Sequence, residues 1–158
     1  MRFFAPMRIP TVTHQEQGLA VVNGKPRVYD TPEIKEARAA FQAHLAKHRP
    51  IKPINGPVRL IVKFLFPITK AGKAEWYKIT RPDLDNLEKL LLDAMTKLGF
   101  WGNDARICSK LTEKFHSDFQ GLFIEIFEID QRTGRPVEAN PKAEHDPELC
   151  GGVMDSTT

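Results

Sequence analysis

Residues 81–99 read RPDLDNLEKLLLDAMTKLG, and the spacing of their apolar side chains predicts an α-helix. The helix is expected to begin at about Asp83, after Pro82, and to end at Leu98. Gly99 follows as a stop signal, because glycine readily adopts the left-handed conformation that closes a helix. The apolar residues that recur every three or four positions, and that we expect on the buried face, are Leu84, Leu87, Leu91, Met95 and Leu98.

Shorter patterns on both sides of this helix predict the other elements. Thr31 and Pro32 form a good helix start, and the helix they open runs to about Lys47. Alternating apolar residues predict a strand over 58–66. The remaining segments are expected to be a short strand over 3–9, a loop over 10–28, and a hairpin of residues 105–115 and 122–129.

These elements define a fold class. Their order is strand, helix, strand, helix, strand, strand, which predicts a single α+β domain with two main helices packed on one mixed β-sheet. Within 105–115, Ile107, Leu111 and Phe115 alternate with basic residues, so the two sides of that strand differ in polarity. The basic residues of the other side are Arg106, Lys110 and Lys114.

Length and charge indicate one basic domain with a tail. The chain has 158 residues, of which 41 % are hydrophobic, and this is the size of one domain. Residues 131–158 show no helix or strand period, so we expect a folded domain over 1–130 and a disordered tail over 131–158. Three of the 23 basic and five of the 20 acidic residues lie in that tail, which leaves the domain with 20 against 15, or +5. A basic domain favours a polyanionic partner.

The composition also excludes some classes. No apolar run approaches the roughly 18 residues of a membrane-spanning helix, and the first residues lack the apolar stretch of a signal peptide. Two cysteines are too few for a disulfide framework, which indicates a reduced, cytoplasmic compartment. We therefore expect no membrane partner.

Three aspartates form the main candidate site. Asp83 and Asp85 lie at the start of the second helix, and Asp104 follows it after the sequence GFWGN. Carboxylate oxygens are the ligands that Mg²⁺ prefers, and Lys89 could stabilise charge that develops on a phosphate. A 16-residue helix is about 24 Å long, so Asp104 need not meet the other two within one chain. Either the helix is shorter, or a second subunit brings Asp104 close.

The same residues have a structural interpretation. Aspartates in the first turn of a helix stabilise its dipole by about 0.3–1 kcal/mol each. Asp85 and Lys89, four residues apart, form an ordinary helix-surface pair. Spacing alone therefore leaves both interpretations open.

Two further groups of polar residues need an interpretation. The loop over 67–82 carries four basic residues that could line a path for nucleic acid or form a solvated surface: Lys70, Lys73, Lys78 and Arg81. His44 and His48 lie four residues apart, a spacing that can hold Zn²⁺. No cysteine or carboxylate completes such a site in the sequence, so we expect these histidines to pack at the helix edge.

The stretch from Arg81 to Lys89, with LDAMTKLGFW at 92–101 and NDAR at 103–106, resembles the signature of RusA-type Holliday junction resolvases. The resemblance is closest over 81–106 and extends more weakly over 1–129. It implies a small, dimeric, Mg²⁺-dependent endonuclease of phages and prophages that cuts four-way DNA junctions.

The resemblance also implies residue roles. Asp83, Asp85 and Asp104 match the metal-binding carboxylates of the family, and Lys89 matches its catalytic lysine. His14 falls in a polar loop that faces DNA in the family. Asn103 departs from the pattern, because family members often carry a second acidic residue there.

We therefore predict a homodimeric endonuclease that uses Mg²⁺, or Mn²⁺, to hydrolyse four-way DNA junctions in recombination and repair, without a nucleotide cofactor. One alternative is a branched-DNA-binding protein of the same fold that does not cut. A second alternative is a nucleotidyltransferase, a class that also uses Asp-x-Asp and a later aspartate. That class usually carries a glycine turn before the pair, and none precedes Asp83.

Overall fold

The computed structural model describes residues 1–12, 18–68 and 76–137. Within these ranges the chain forms six strands and two main helices, together with single turns of 3₁₀ helix at Ala46–His48 and Asp104–Arg106. In chain order, the main elements are β1 (Arg2–Pro6), β2 (Gly18–Val22), β3 (Lys25–Tyr29), α1 (Pro32–Leu45), β4 (Val58–Pro67), α2 (Leu84–Leu98), β5 (Ile107–Ser117) and β6 (Gly121–Glu128). The predicted fold class is confirmed.

The main sheet has the strand order β1-β6-β4-β5. Strand β4 pairs in parallel with β5 and antiparallel with β6, and β6 pairs antiparallel with β1. Because β4, α2 and β5 form a β-α-β unit, α2 crosses over the sheet between two parallel neighbours. The start of α2 therefore follows the end of the central strand β4.

The predicted hairpin of 105–115 with 122–129 is wrong in its pairing. Both segments are strands, but each pairs with β4 from opposite sides. The turn after Ser117 crosses the end of β4 before β6 begins. Strand β4 is buried at every second position and lies between β5 and β6, pairing with both. The short β5–β6 connection therefore does not mean that these two strands pair with each other.

The predicted loop over 10–28 is also wrong in part. Residues 18–29 form a separate antiparallel hairpin, β2–β3. Its turn is Asn23-Gly24, with φ angles of 53° and 73°. This is the conformation that an Asn-Gly hairpin turn requires, so the dipeptide itself indicates a hairpin at this position. Apolar side chains of this hairpin are exposed, among them Leu19, Val21 and Val28.

The core lies between the two helices and the inner side of the sheet. Helix α2 begins after Asp83 and ends at Gly99, whose φ is +81°. Leu87, Leu91 and Met95 are fully buried, as predicted. Leu84 and Leu98 are only partly buried because they lie at the two ends of the helix, and Leu90 and Ala94 complete the buried stripe.

The two histidines of the first helix region separate in the structure. His48 lies in the 3₁₀ turn after α1, and its ring stacks on Phe3 with centroids 4.2 Å apart. His44 is exposed on α1. Across the described ranges, no group of three histidine, cysteine or acidic residues is placed to hold a metal ion. The expected packing role therefore fits His48.

The end of the chain is described only in part. Residues 131–137 continue from a turn around Asp130, and Pro136 pairs with Ile129 in an isolated bridge. The rest of the predicted tail, residues 138–158, lies outside the described residues. In the described part of the chain, no helix is long and apolar enough to cross a membrane.

We expect Leu91→Ala to lower the free energy of unfolding by about 2–5 kcal/mol, because it opens a cavity under α2. The matched control is Ile51→Ala, since Ile51 is 100 % exposed, and its effect should stay below about 0.5 kcal/mol. Urea unfolding at one protein concentration measures both. Equal effects of the two substitutions would contradict this packing of α2.

We also expect a pH dependence from His48. Burial lowers the pKa of His48, and the charge of Lys47 lowers it further. The unfolded chain then binds the proton more readily, so this contribution to stability is present above about pH 6.5 and is lost as the pH falls through the folded pKa. Unfolding curves of the wild type and His48→Phe at several pH values measure it. Identical pH profiles would refute the assignment.

Candidate active site

The start of α2 presents two carboxylates to solvent. Asp83 is the N-cap residue and Asp85 lies in the first turn, and both are exposed. The main-chain oxygen of Asp83 accepts the Leu87 N–H at 3.1 Å, which closes the first helical turn. Within the described residues, the Asp83 side chain makes no capping hydrogen bond, so its carboxylate oxygens are available to a ligand.

Lys89 and Arg81 border this carboxylate pair along the chain. Lys89 is exposed and lies four residues after Asp85, which puts it on the same face one turn along the helix. Arg81 is exposed two residues before Asp83. Both keep the solvent exposure that contact with a bound phosphate requires.

Asp104 lies beyond the other end of α2. The helix has 15 residues, which span about 22 Å. Asp104 lines a cavity of about 450 Å³ together with Thr96, Lys97 and Asp93 from the C-terminal half of α2. The structure therefore does not bring Asp104 to Asp83 and Asp85 within one chain.

Asn103 has a local role in the structure. Its side-chain oxygen accepts the Ala105 N–H at 2.7 Å and caps the short 3₁₀ turn that contains Asp104. That oxygen is therefore already bonded. The geometry assigns Asn103 to shaping the turn that presents Asp104.

The donor set fits a hard divalent cation only in part. Asp83 and Asp85 supply exposed carboxylate oxygens, which are the ligand type that Mg²⁺ prefers. Such a cation often keeps several waters and takes only one or two carboxylates from the protein. The pair thus fits such an ion, and the same chain's Asp104 is not placed to add a third carboxylate.

The polar side of β5, and not its apolar side, faces α2. Lys110 donates to Glu88 at 2.7 Å, and the hydroxyl of Thr112 donates to the same carboxylate. Glu88 is only 6 % exposed, so these bonds satisfy a buried charge. Leu111 on the opposite side is half-exposed. The predicted alternation of apolar and polar residues in this strand is confirmed. The side that faces α2 is the polar one, and β5 lies at the edge of the sheet.

Lys114, further along the same side of β5, reaches the turn before Asp83. Its Nζ donates to the main-chain oxygens of Thr80 at 2.9 Å and of Pro82 at 2.7 Å. Burial lowers the pKa of Lys114, the charge of Lys78 lowers it further, and the carboxylate of Asp83 raises it. Sequence reasoning treated Lys114 as one of several surface cations and missed this contact.

A basic cleft of about 470 Å³ opens at the same end of the sheet. Arg8, Lys78 and Arg81 contribute its positive charge, and the buried His116 closes one side. The His116 ring is held by a 3.0 Å contact between Nδ1 and the Pro67 oxygen. Sequence reasoning identified Lys78 and Arg81 but missed Arg8 and His116, which lie far away in the sequence.

The other residues predicted to contact DNA are His14, Lys70 and Lys73. They lie outside the described residues. His14 lies in the segment between residues 12 and 18, and Lys70 and Lys73 lie in the segment between residues 68 and 76. Their predicted roles remain expectations.

A pair of exposed carboxylates beside a basic cleft suits the binding of a divalent cation next to a polyanion. The family model for endodeoxyribonuclease RusA matches residues 9–127. A protein of Lactococcus phage r1t, named crossover junction endodeoxyribonuclease rusA, is 34 % identical over 124 residues, which cover 77 % of this chain and 92 % of that protein. The uncharacterized protein YqaN of Bacillus subtilis is 27 % identical over 121 residues, which cover 70 % and 84 %.

The chain belongs to the RusA family of endodeoxyribonucleases. The predicted resemblance and the predicted enzyme class are therefore confirmed. The match begins at Ile9 and ends at Phe127, so it spans the helices and most of the main sheet.

We expect Arg8→Ala to weaken DNA binding and to lower the slope of log affinity against log salt concentration by about one, because one phosphate contact is lost. Arg49→Ala is the matched control, since Arg49 is an exposed arginine that follows the C-terminal end of α1 and does not line the cleft. Fluorescence anisotropy across a salt series, without divalent metal, measures both. Equal slopes for the two variants would show that the cleft does not hold the DNA backbone.

Proposed function

We propose that this endodeoxyribonuclease cuts four-way DNA junctions with Mg²⁺, or Mn²⁺, as the cofactor. The main supporting observation is the exposed pair Asp83 and Asp85, which lies beside the cleft that contains Lys78 and Arg81. The similarity to a phage crossover junction endodeoxyribonuclease supports the choice of substrate. In this proposal the enzyme acts in recombination and repair, in the cytoplasm of a bacterial or phage-infected cell.

Each group has a distinct task in this mechanism. Asp83 and Asp85 would hold the cation, which when bound supplies Lewis acidity toward a phosphoryl oxygen and activation of water. Lys89, exposed on the same face, would stabilise the charge that builds up on the phosphate. The cleft cations would bind the backbone of the cut strand and hold it across the start of α2.

The proposal includes a homodimer in which Asp104 of one copy completes the site of the other. The two ends of α2 lie about 22 Å apart, so one chain cannot bring all three aspartates together. A two-fold dimer would make two equal composite sites, which suits a junction with approximate two-fold symmetry. The hairpin β2–β3 supports dimerisation, because exposed apolar residues on a lone two-stranded sheet favour a protein partner.

We expect Asp85→Asn and Asp104→Asn to lower the rate of junction cutting at least about a hundredfold while junction binding is retained, because each removes a metal ligand. The control is Asp118→Asn, at an exposed position in the β5–β6 turn. A labelled synthetic four-way junction and a linear duplex, incubated with Mg²⁺ or Mn²⁺, measure cutting and its structure specificity.

Each other outcome of this assay contradicts part of the proposal. A wild-type protein that binds the junction but cuts in neither metal would be a branched-DNA-binding protein. Incorporation of labelled nucleotides would indicate a nucleotidyltransferase. Unchanged cutting by Asp104→Asn would remove that residue from the site.

A subunit-mixing experiment tests the composite site. If Asp104 acts in the partner's site, a heterodimer of Asp85→Asn and Asp104→Asn contains one intact site and one doubly damaged site. We therefore expect the mixture, after subunit exchange, to recover nicking that neither variant shows alone. If all three aspartates act within one chain, every site in the heterodimer is damaged and no nicking returns.

A further inference from the structure

Lys114 contacts the turn that directly precedes Asp83, one of the two proposed cation ligands at the start of α2. Its ammonium group donates to the main-chain oxygens of Thr80 and Pro82, which lie on either side of Arg81. Pro82 immediately precedes Asp83. A single side chain from the edge of the sheet thus clamps the two carbonyls that lead into the carboxylate pair.

The segment before this turn is also attached to β5. The Lys78 N–H donates to the Lys114 oxygen at 3.0 Å, and the His116 N–H donates to the Trp76 oxygen at 2.8 Å. Main-chain bonds therefore hold residues 76–78 along the strand. After Lys78, the chain turns away from β5 toward α2, and Lys114 spans that gap.

A phosphate-binding role for Lys114 does not agree with these contacts. An ammonium group has three donors, and two of them already reach main-chain oxygens. The side chain is also partly buried. Lys89 and Arg81 in the same region are exposed and so remain suited to phosphate contact.

The clamped turn leads directly into Asp83. Within the described part of the chain the Asp83 side chain makes no capping bond, so the backbone of the turn, and not a cap contact, fixes the point from which its carboxylate extends. Small displacements of ligand-bearing residues reduce metal binding strongly, which is why groups that orient ligands typically contribute 10–100-fold to metal affinity or activity.

We propose that Lys114 is a positioning residue that holds the turn at residues 80–82 and thereby presents Asp83 for cation binding. This inference rests on the proposed function and adds a residue to it. Thr80 is exposed, so water can replace the bond that its carbonyl loses when Lys114 is removed, whereas the carbonyl of the buried Pro82 loses its partner. The fold should therefore survive its substitution, while the geometry of the turn should not.

The test compares Lys114→Met, Lys114→Arg and Lys63→Met. Lys63→Met is the matched control, because Lys63 lies on the neighbouring strand β4, on the opposite face of the sheet, with Glu113 3.8 Å away. Junction cutting is measured against Mg²⁺ concentration, and junction binding is measured without metal. Hydrogen exchange reports on the Leu87 amide, whose bond to Asp83 closes the first turn of α2.

We expect Lys114→Met to slow cutting by about 10–100-fold and to raise the Mg²⁺ concentration for half-maximal cutting. Its Leu87 amide should exchange faster, and its metal-free junction affinity should stay close to that of the wild type. Lys114→Arg should recover part of the loss, because a guanidinium can still donate to both carbonyls. Lys63→Met should match the wild type throughout.

Three results would overturn the inference: normal cutting by Lys114→Met, unchanged exchange at Leu87, or a weaker metal-free affinity with a smaller salt slope. The last result would identify Lys114 as a phosphate contact. If the wild type itself does not cut junctions, the proposed function fails, whereas hydrogen exchange still tests the clamp. If Lys114→Met does not fold, Lys114→Gln, which keeps one amide donor group, takes its place in every measurement.

Discussion

The packing of α2 on the sheet is the constraint on which the rest of the structure depends. Its stripe of Leu87, Leu90, Leu91, Ala94 and Met95 is fully buried. Because the helix cannot shift without exposing this stripe, its two ends stay fixed relative to the strands. The start of α2 lies at the end of β4, beside the basic cleft, and its end lies at the cavity that contains Asp104. The packing that stabilises the fold therefore also keeps Asp104 apart from Asp83 and Asp85 within one chain.

The edge strand β5 joins the sheet to the candidate active site. A strand at an edge has one neighbour, and inward-pointing charged residues are one way in which such edges are protected. Two lysines on the same side of β5 point inward in this way. Lys110 neutralises the buried Glu88 and so secures α2, whereas Lys114 holds the backbone that leads to Asp83. The same side of the strand ends at His116 in the cleft.

Local sequence signals predicted the elements well where caps and periodicity agree. The Thr31-Pro32 start, the Gly99 stop and the alternation in 58–66 all correspond to the ends or faces of real elements. The Asn23-Gly24 turn is an equally local signal, because this dipeptide favours a two-residue hairpin turn. Pairing could not be read in this way. Residues 105–115 and 122–129 look like a hairpin because their connection is short, and only the burial of β4 between them decides otherwise.

The sequence by itself determined the family, the two main helices and the positions of Asp83, Asp85 and Lys89, since all of these depend on residues close together in the chain. Tertiary structure alone decided which side of β5 faces α2, that Arg8 and His116 join Lys78 and Arg81, and that Lys114 reaches the turn before Asp83. It also decided that Asp104 lies apart from the other two aspartates. The physical reason is that these relations depend on how apolar surfaces pack between elements distant in sequence, and periodicity within one element contains no information about its neighbour.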